Sequence, residues 1–84
     1  MADTIARSAQ QLGTAIRRVR RARALTQGQL GALMTVRQAT ISKLEKGAKS
    51  TQLQTLLDAL TALDLELVVR ERTKGPLREI EDIF

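Results

Sequence analysis

The sequence predicts an all-α domain of four to five helices, with one C-terminal β-strand that pairs across a homodimer. Three observations predict it. Apolar residues recur at helical spacing in successive short blocks, and three of those blocks open with a Ser/Thr-x-x-Gln capping pattern. The last long apolar block changes to a period of two. A chain of 84 residues is a single small domain, and one of this size is only marginally stable alone. It has no Cys and no His, so no disulfide and no Cys or His metal site can brace it, and no cofactor is expected. A second subunit is the remaining source of stability.

Residues 1–7 are expected to be a flexible leader. Ser8-Ala9-Gln10-Gln11 has the capping-box form, and Leu12, Ile16 and Val19 follow on one helical face, giving a helix from Ala9 to Ala24. Arg17, Arg18, Arg20, Arg21 and Arg23 scatter around that helix and receive no site role. Thr26-Gln27-Gly28-Gln29 opens a second helix, with Leu30, Leu33 and Met34 inside. Gly31 within it costs about 1 kcal/mol relative to Ala, which suits a place where another backbone passes close by. Thr35-Val36-Arg37-Gln38 is a third box, opening a helix over about 36–46 whose buried side holds Ile41 and Leu44. Gly47 is placed to end it in a left-handed cap. Ser50 and Thr51 offer N-caps to a fourth helix carrying Leu53, Leu56, Leu57, Leu60 and Leu63, the strongest amphipathic stripe in the chain. Leu12, Ile16, Val19, Leu53, Leu57 and Leu60 are read as core.

Leu65, Leu67 and Val69 then alternate with Glu66, Val68 and Arg70. A lone strand leaves its backbone groups without partners. The same strand of a second copy, antiparallel across a two-fold axis, satisfies them. Residues 65–72 are therefore the expected dimerisation strand, with Leu65, Leu67, Val68 and Val69 at its centre. Gly75-Pro76 breaks the chain, and residues 73–84 form an acidic tail, expected to be flexible.

Charge separates the two halves. Residues 1–49 carry ten Lys/Arg against two Asp/Glu, while residues 50–84 carry four against seven. A basic half on a small domain suggests a polyanion partner. Phe84 is the one aromatic residue, so the stacking platforms of single-strand and most RNA readers are missing, which leaves duplex DNA. Met1 to Gln11 lack both the basic start and the apolar run of a secretory signal. No stretch is apolar enough to span a bilayer. A soluble, cytoplasmic, nucleoid-associated protein without membrane contact is expected. An enzyme is not: Ser8, Ser42 and Ser50 have no evident base, Asp58 and Asp64 read as a solvated pair, and neither a phosphate loop nor a metal-ligand cluster is present.

Gln27 to Lys46 forms a twenty-residue unit. Counting Gln27 as the first place, the fifth is Gly31, where bulk is forbidden. Leu30, Met34, Val36, Ile41 and Leu44 occupy the places that two helices meeting at a steep angle must bury. Thr26-Gln27, Gly31, Gln38-Ala39-Thr40-Ile41-Ser42 and Leu44-Glu45-Lys46-Gly47 together resemble the phage-repressor-like (XRE/Cro) helix-turn-helix family, over about residues 8–64. Thr35 departs from that pattern, where the family usually has Gly, and belongs in or near the left-handed region. Arg37 to Ser42, the Leu-rich helix and Leu65-Glu66-Leu67-Val68-Val69 are also similar to HipB-type antitoxins.

The resemblance implies a recognition helix over about 36–46 that enters the major groove. Gln38 has two roles open to it. Its amide can bond adenine bidentately, or its side chain can complete the Thr35 box. Arg37 suits guanine or a phosphate, Ala39 and Thr40 suit thymine methyls, and Ser42 and Lys43 suit base or phosphate. Lys46 and Lys49 suit phosphates, and the family's counterpart of Gln27 anchors one at a helix N-terminus. The implied function is a dimeric, sequence-specific repressor of its own operon, binding an inverted repeat of double-stranded operator DNA and acting as the antitoxin of a HipA-like kinase toxin. The alternative is a stand-alone XRE-type regulator with no toxin partner. Ile80, Ile83 and Phe84 in the tail are the candidate toxin contacts, with Phe84 as the apolar anchor.

Overall fold

The computed structural model describes residues 4–72, and over that span the chain forms four α-helices. They are α1 (Ala9–Ala22), α2 (Gln27–Met34), α3 (Gln38–Glu45) and α4 (Leu53–Ala62). Each helix places apolar residues into one core: Ile16 from α1, Leu30 from α2, Ile41 and Leu44 from α3, and Ala59, Leu60 and Leu63 from α4 and its cap. Leu12, Val19, Met34, Leu56 and Leu57 pack around it. α3 is held between α1 and α2, and α2 also rests on α4.

The helix starts agree only in part with the capping patterns. Thr26 makes the full box: its Oγ1 accepts from the Gln29 N–H at 3.0 Å, and Gln29 Oε1 accepts from the Thr26 N–H at 2.8 Å. Ser8 makes half of one, accepting from the Gln11 N–H at 3.0 Å, while Gln11 Oε1 takes the Arg7 N–H instead. The Thr35 box does not form. Thr35 is the left-handed cap that ends α2 (φ 60°), and the N-cap of α3 is Arg37. A residue at positive φ lacks the extended backbone an N-cap requires. Neither Ser50 nor Thr51 caps α4. Its N-cap is Gln52, and the Thr51 N–H closes a turn onto the Ala48 carbonyl at 3.1 Å.

All four helices end alike. In each, the residue after a left-handed position donates to the carbonyl five residues before it: Leu25 to Arg20, Val36 to Gly31, Ala48 to Lys43 and Leu65 to Leu60. This is the Schellman arrangement, and it needs a left-handed residue in between. Those residues are Ala24, Thr35, Gly47 and Asp64. The left-handed Ala24 is why α1 stops at Ala22 and does not include Ala24. Three of the four reversals carry the chain back with an apolar residue, Leu25, Val36 or Leu65, packed against the core.

Three glycines stand where a Cβ would meet backbone, and at Gly13 it would lie 2.5 Å from the Leu44 and Glu45 carbonyl oxygens at the end of α3. A Cβ at Gly31 would lie 2.8 Å from the Val36 carbonyl oxygen, so the α2–α3 turn closes on its own helix there. Gly47 has φ +74°, and a Cβ there would stand 2.6 Å from the Gln10 backbone on α1.

Leu33 and Leu53 are corrections to the expected interior. They are 62% and 67% exposed. Leu30 and Gly31 are the buried residues of α2, and Leu53 lines a surface groove with Leu12 and Leu56. No fifth helix and no strand occurs among the described residues. Leu65 is held on the core, and the chain then runs exposed from Glu66 to Arg72. Within one chain that segment meets no second extended segment to ladder with among the described residues. The expectations for residues 1–3 and 73–84, including Ile80, Ile83 and Phe84, lie outside the described residues.

Candidate nucleic-acid interface

The α2–α3 pair presents one helix outward on a rigid base. Ile41 and Leu44 bury one side of α3. With 3.6 residues per turn, Ala39, Lys43 and Lys46 fall on the opposite side, and all three are exposed. Gln38 and Ser42 flank that side, Gln38 exposed and Ser42 half-buried, and Arg37 is exposed at the helix start. Thr40 is half-buried on the other flank. Lys49 is exposed but lies beyond the Gly47 reversal, in the connection to α4. Most of the candidate residues thus share one continuous surface. Lys49 and Thr40 stand at its margins.

Beneath this surface runs a chain of hydrogen bonds that the sequence alone does not disclose. Arg20 on α1 is buried, and its guanidinium grips the Glu45 carboxylate at the end of α3 through two bonds, Nε to Oε2 at 2.6 Å and Nη2 to Oε1 at 3.1 Å. Its Nη1 donates to the Leu25 carbonyl at 2.7 Å, fixing the α1–α2 turn as well. Gln27 Nε2 donates to Glu45 Oε1 at 3.1 Å. Gln38 Nε2 donates to Gln27 Oε1 at 3.2 Å. One buried ion pair therefore ties three helices together and reaches, through Gln27, to the exposed Gln38. The two roles open to Gln38 reduce accordingly: its amide is engaged with Gln27, not with Thr35. Gln27 is half-buried in this chain, with one amide hydrogen and its carbonyl both used.

Burial by itself raises the Glu45 pKa. Hydrogen bonds from Arg20 and Gln27, with the charges of Arg20 and Arg17, outweigh it and hold the carboxyl below its ordinary value. Glu45 is thus an anion at neutral pH, paired with the Arg20 guanidinium. Arg20 and Glu45 are the residues missed at the sequence level. Arg20 sits among four exposed arginines on the same helix and its cap, and only the place of Ile16 on the core face hints that the next turn is turned inward as well. No group of His, Cys, Asp or Glu that could hold a metal occurs among the described residues. No described helix is long and apolar enough to cross a membrane.

Similarity to known proteins bears on this surface. The family model described as "Helix-turn-helix domain" matches residues 2–71. Among solved structures, the chain is similar to HipB in a complex with an O4 20mer, at 30% identity, 84% of this chain, 100% of that chain and a TM-score of 0.78. A HipB variant in complex with an O2 20mer matches at 29% identity over 86% of this chain and 100% of that one, with a TM-score of 0.79. A HipA–HipB–O2–O3 complex matches at 30% identity over 84% of this chain and 100% of that one, with a TM-score of 0.78. No curated protein matches the chain.

Proposed function

Because the chain belongs to the helix-turn-helix domain family and stands with HipB within it, we propose that it is a dimeric, sequence-specific repressor of its own operon and the antitoxin of a HipA-like kinase. α3 is the recognition helix in this reading. The observation that carries it is the hydrogen-bonded chain from Arg20 to Gln38, which holds an amide ready at the exposed start of α3. Gln38 reads a base edge, Arg37 takes guanine or a phosphate, Ala39 and Thr40 offer methyl contacts, Ser42 and Lys43 take bases or phosphates, and Lys46 and Lys49 take phosphates. Gln27 adds the N-terminus of α2 to the phosphate contacts.

Dimerisation is the second part of the proposal. Leu67, Val68 and Val69 are 53%, 67% and 91% exposed. Three consecutive exposed aliphatic residues, directly after a well-packed helix end, fit a segment that ladders with its copy across a two-fold axis. Two recognition helices then meet half-sites of an inverted repeat one helical turn apart, about 34–36 Å. Operator DNA and a HipA-like kinase are the partners, in keeping with the complexes in which HipB is found. Ile80, Ile83 and Phe84 are the proposed kinase contacts.

The test is recovery of the full-length chain from its native cell, with whatever accompanies it in stoichiometric amount. The expected result is a kinase-fold protein together with fragments of the chain's own promoter. Promoter DNA without a kinase leaves the stand-alone regulator. Recovery of the chain with neither partner contradicts the proposal.

A further inference from the structure

We propose that residues 77–84 of one copy seat in the apolar groove between α1 and α4 of the other copy, with Phe84 as the anchor. The inference rests on the strand-paired dimer proposed above. Leu12 and Gly13 of α1, Leu44 of α3, and Leu53 and Leu56 of α4 line the groove, whose volume is about 240 Å³. A space of about 150 Å³ takes a benzene ring. Leu53 is 67% exposed in its wall. The sequence beyond Arg72 matches this groove in pattern and in charge. Leu77, Ile80 and Phe84 recur at i, i+3 and i+7, the spacing with which a helix lays its anchors into a groove. Glu79, Glu81 and Asp82 stand among them. The one charged residue lining the groove is a cation, Lys49. α4 opens beside it without a side-chain cap, so its first N–H groups favour an anion as well.

Reach decides between the two copies. Leu65 is packed on the core, and the segment after it leaves the domain, with Val69 91% exposed. In an antiparallel pair of residues 65–72, Arg72 lies opposite Leu65 of the other copy. From there that copy's groove is one length of α4 away, about 15 Å for its ten residues. The five residues from Arg72 to Leu77 span at most about 18 Å, which is just enough. The chain's own groove is farther off by the ribbon, about 23 Å for the seven residues from Leu65 to Arg72, and falls out of reach. So short a tether holds the tail at about millimolar concentration beside the other groove, and even a weak seat is filled. Ile80, Ile83 and Phe84 are also the proposed kinase contacts, so a kinase draws the tail out of a seat it holds in the free dimer.

The chain has no Trp and no Tyr, so Phe84→Trp supplies a single fluorescent reporter. Leu53→Glu spoils the groove and repels the acidic tail. It should leave the fold intact, because Leu53 is exposed and an acid suits the first turn of α4. Three full-length samples are compared by emission wavelength and acrylamide quenching, with sedimentation of each. The first is Phe84→Trp alone, the second is Phe84→Trp with Leu53→Glu, and the third is that double variant refolded with excess wild type. The first should show blue-shifted emission and several-fold less quenching than the second. Excess wild type should restore this protection to the double variant, because its Trp then meets an intact groove in the other copy. Protection in the first sample that wild type does not restore puts the tail in its own groove and overturns the exchange. A dimer whose Trp is equally open to quenching in all three samples overturns the seat altogether. A monomer in sedimentation contradicts instead the paired dimer, and the exchange falls with it.

Discussion

Arg20 is one of five arginines on α1 and its cap, and only its surroundings set it apart. Arg17, Arg18, Arg21 and Arg23 are exposed, while Arg20 closes a buried pair with a residue 25 positions away. Nothing local in the sequence marks such a pair, because the partner is chosen by the packing of α1 on α3. The visible parts of the site were the motif residues, Gln27, Gln38 and the surface of α3. What joins them was not visible. The pair also has a measurable energetic signature. Removing one member leaves a buried charge alone, so Arg20→Ala or Glu45→Ala should each destabilise the fold by about 3–5 kcal/mol in urea unfolding. Replacing both, as in Arg20→Met with Glu45→Leu, should recover most of that loss. Acidity should act on the same pair. The folded pKa of Glu45 is lowered, so its contribution is fully present above the ordinary glutamate value and is lost as pH falls through the lower folded value. Urea midpoints should therefore decline over that acid range, and the decline should be shallower in the Arg20→Met, Glu45→Leu variant.

The helix ends show where pattern reading succeeds and where it fails. Gly47 was legible as a left-handed cap because glycine advertises that role. Thr35 was legible only through its place in the motif, and the Ser/Thr-x-x-Gln pattern pointed the other way. A residue cannot be both the left-handed end of one helix and the extended start of the next, and the tight α2–α3 turn chose the former. Ala24 and Asp64 carried no signal at all. The stripe of α4 was legible, yet its first member, Leu53, was not correctly placed. Periodicity gives the direction of a side chain but not how far the neighbouring helices extend. Ala24→Gly and Thr35→Gly should each stabilise the fold by about 0.5–1 kcal/mol, because relief of left-handed strain exceeds the added freedom of the unfolded chain. For a domain this small, that is a rise of a few degrees in melting temperature. Gly47→Ala should do the reverse and cost more than about 1–2 kcal/mol, since a Cβ there also meets the α1 backbone at Gln10.

At the scale of the molecule, charge and the proposed two-fold symmetry bear on function. The basic half of the chain contains α1 to α3, and the acidic half contains α4 and the C-terminal segment. The cations thus fall mostly on the part of the chain that carries α3. If residues 65–72 pair with their copy, Val68→Pro should abolish the dimer, as read by sedimentation, while leaving the helical signal in circular dichroism intact. The helical domain was largely legible from sequence because each helix carries its own apolar period. The proposed ribbon is read from alternation alone, and its proposed partner is a second chain. The account's central claim is that two copies of this domain read one inverted repeat. The most direct measurement is a fluorescence-anisotropy titration of labelled promoter duplex at fixed salt, beside a duplex with the half-sites scrambled. The account predicts saturation at two chains per duplex, and binding at least about a thousand-fold tighter than to the scrambled duplex. Equal affinity for the two duplexes would contradict it.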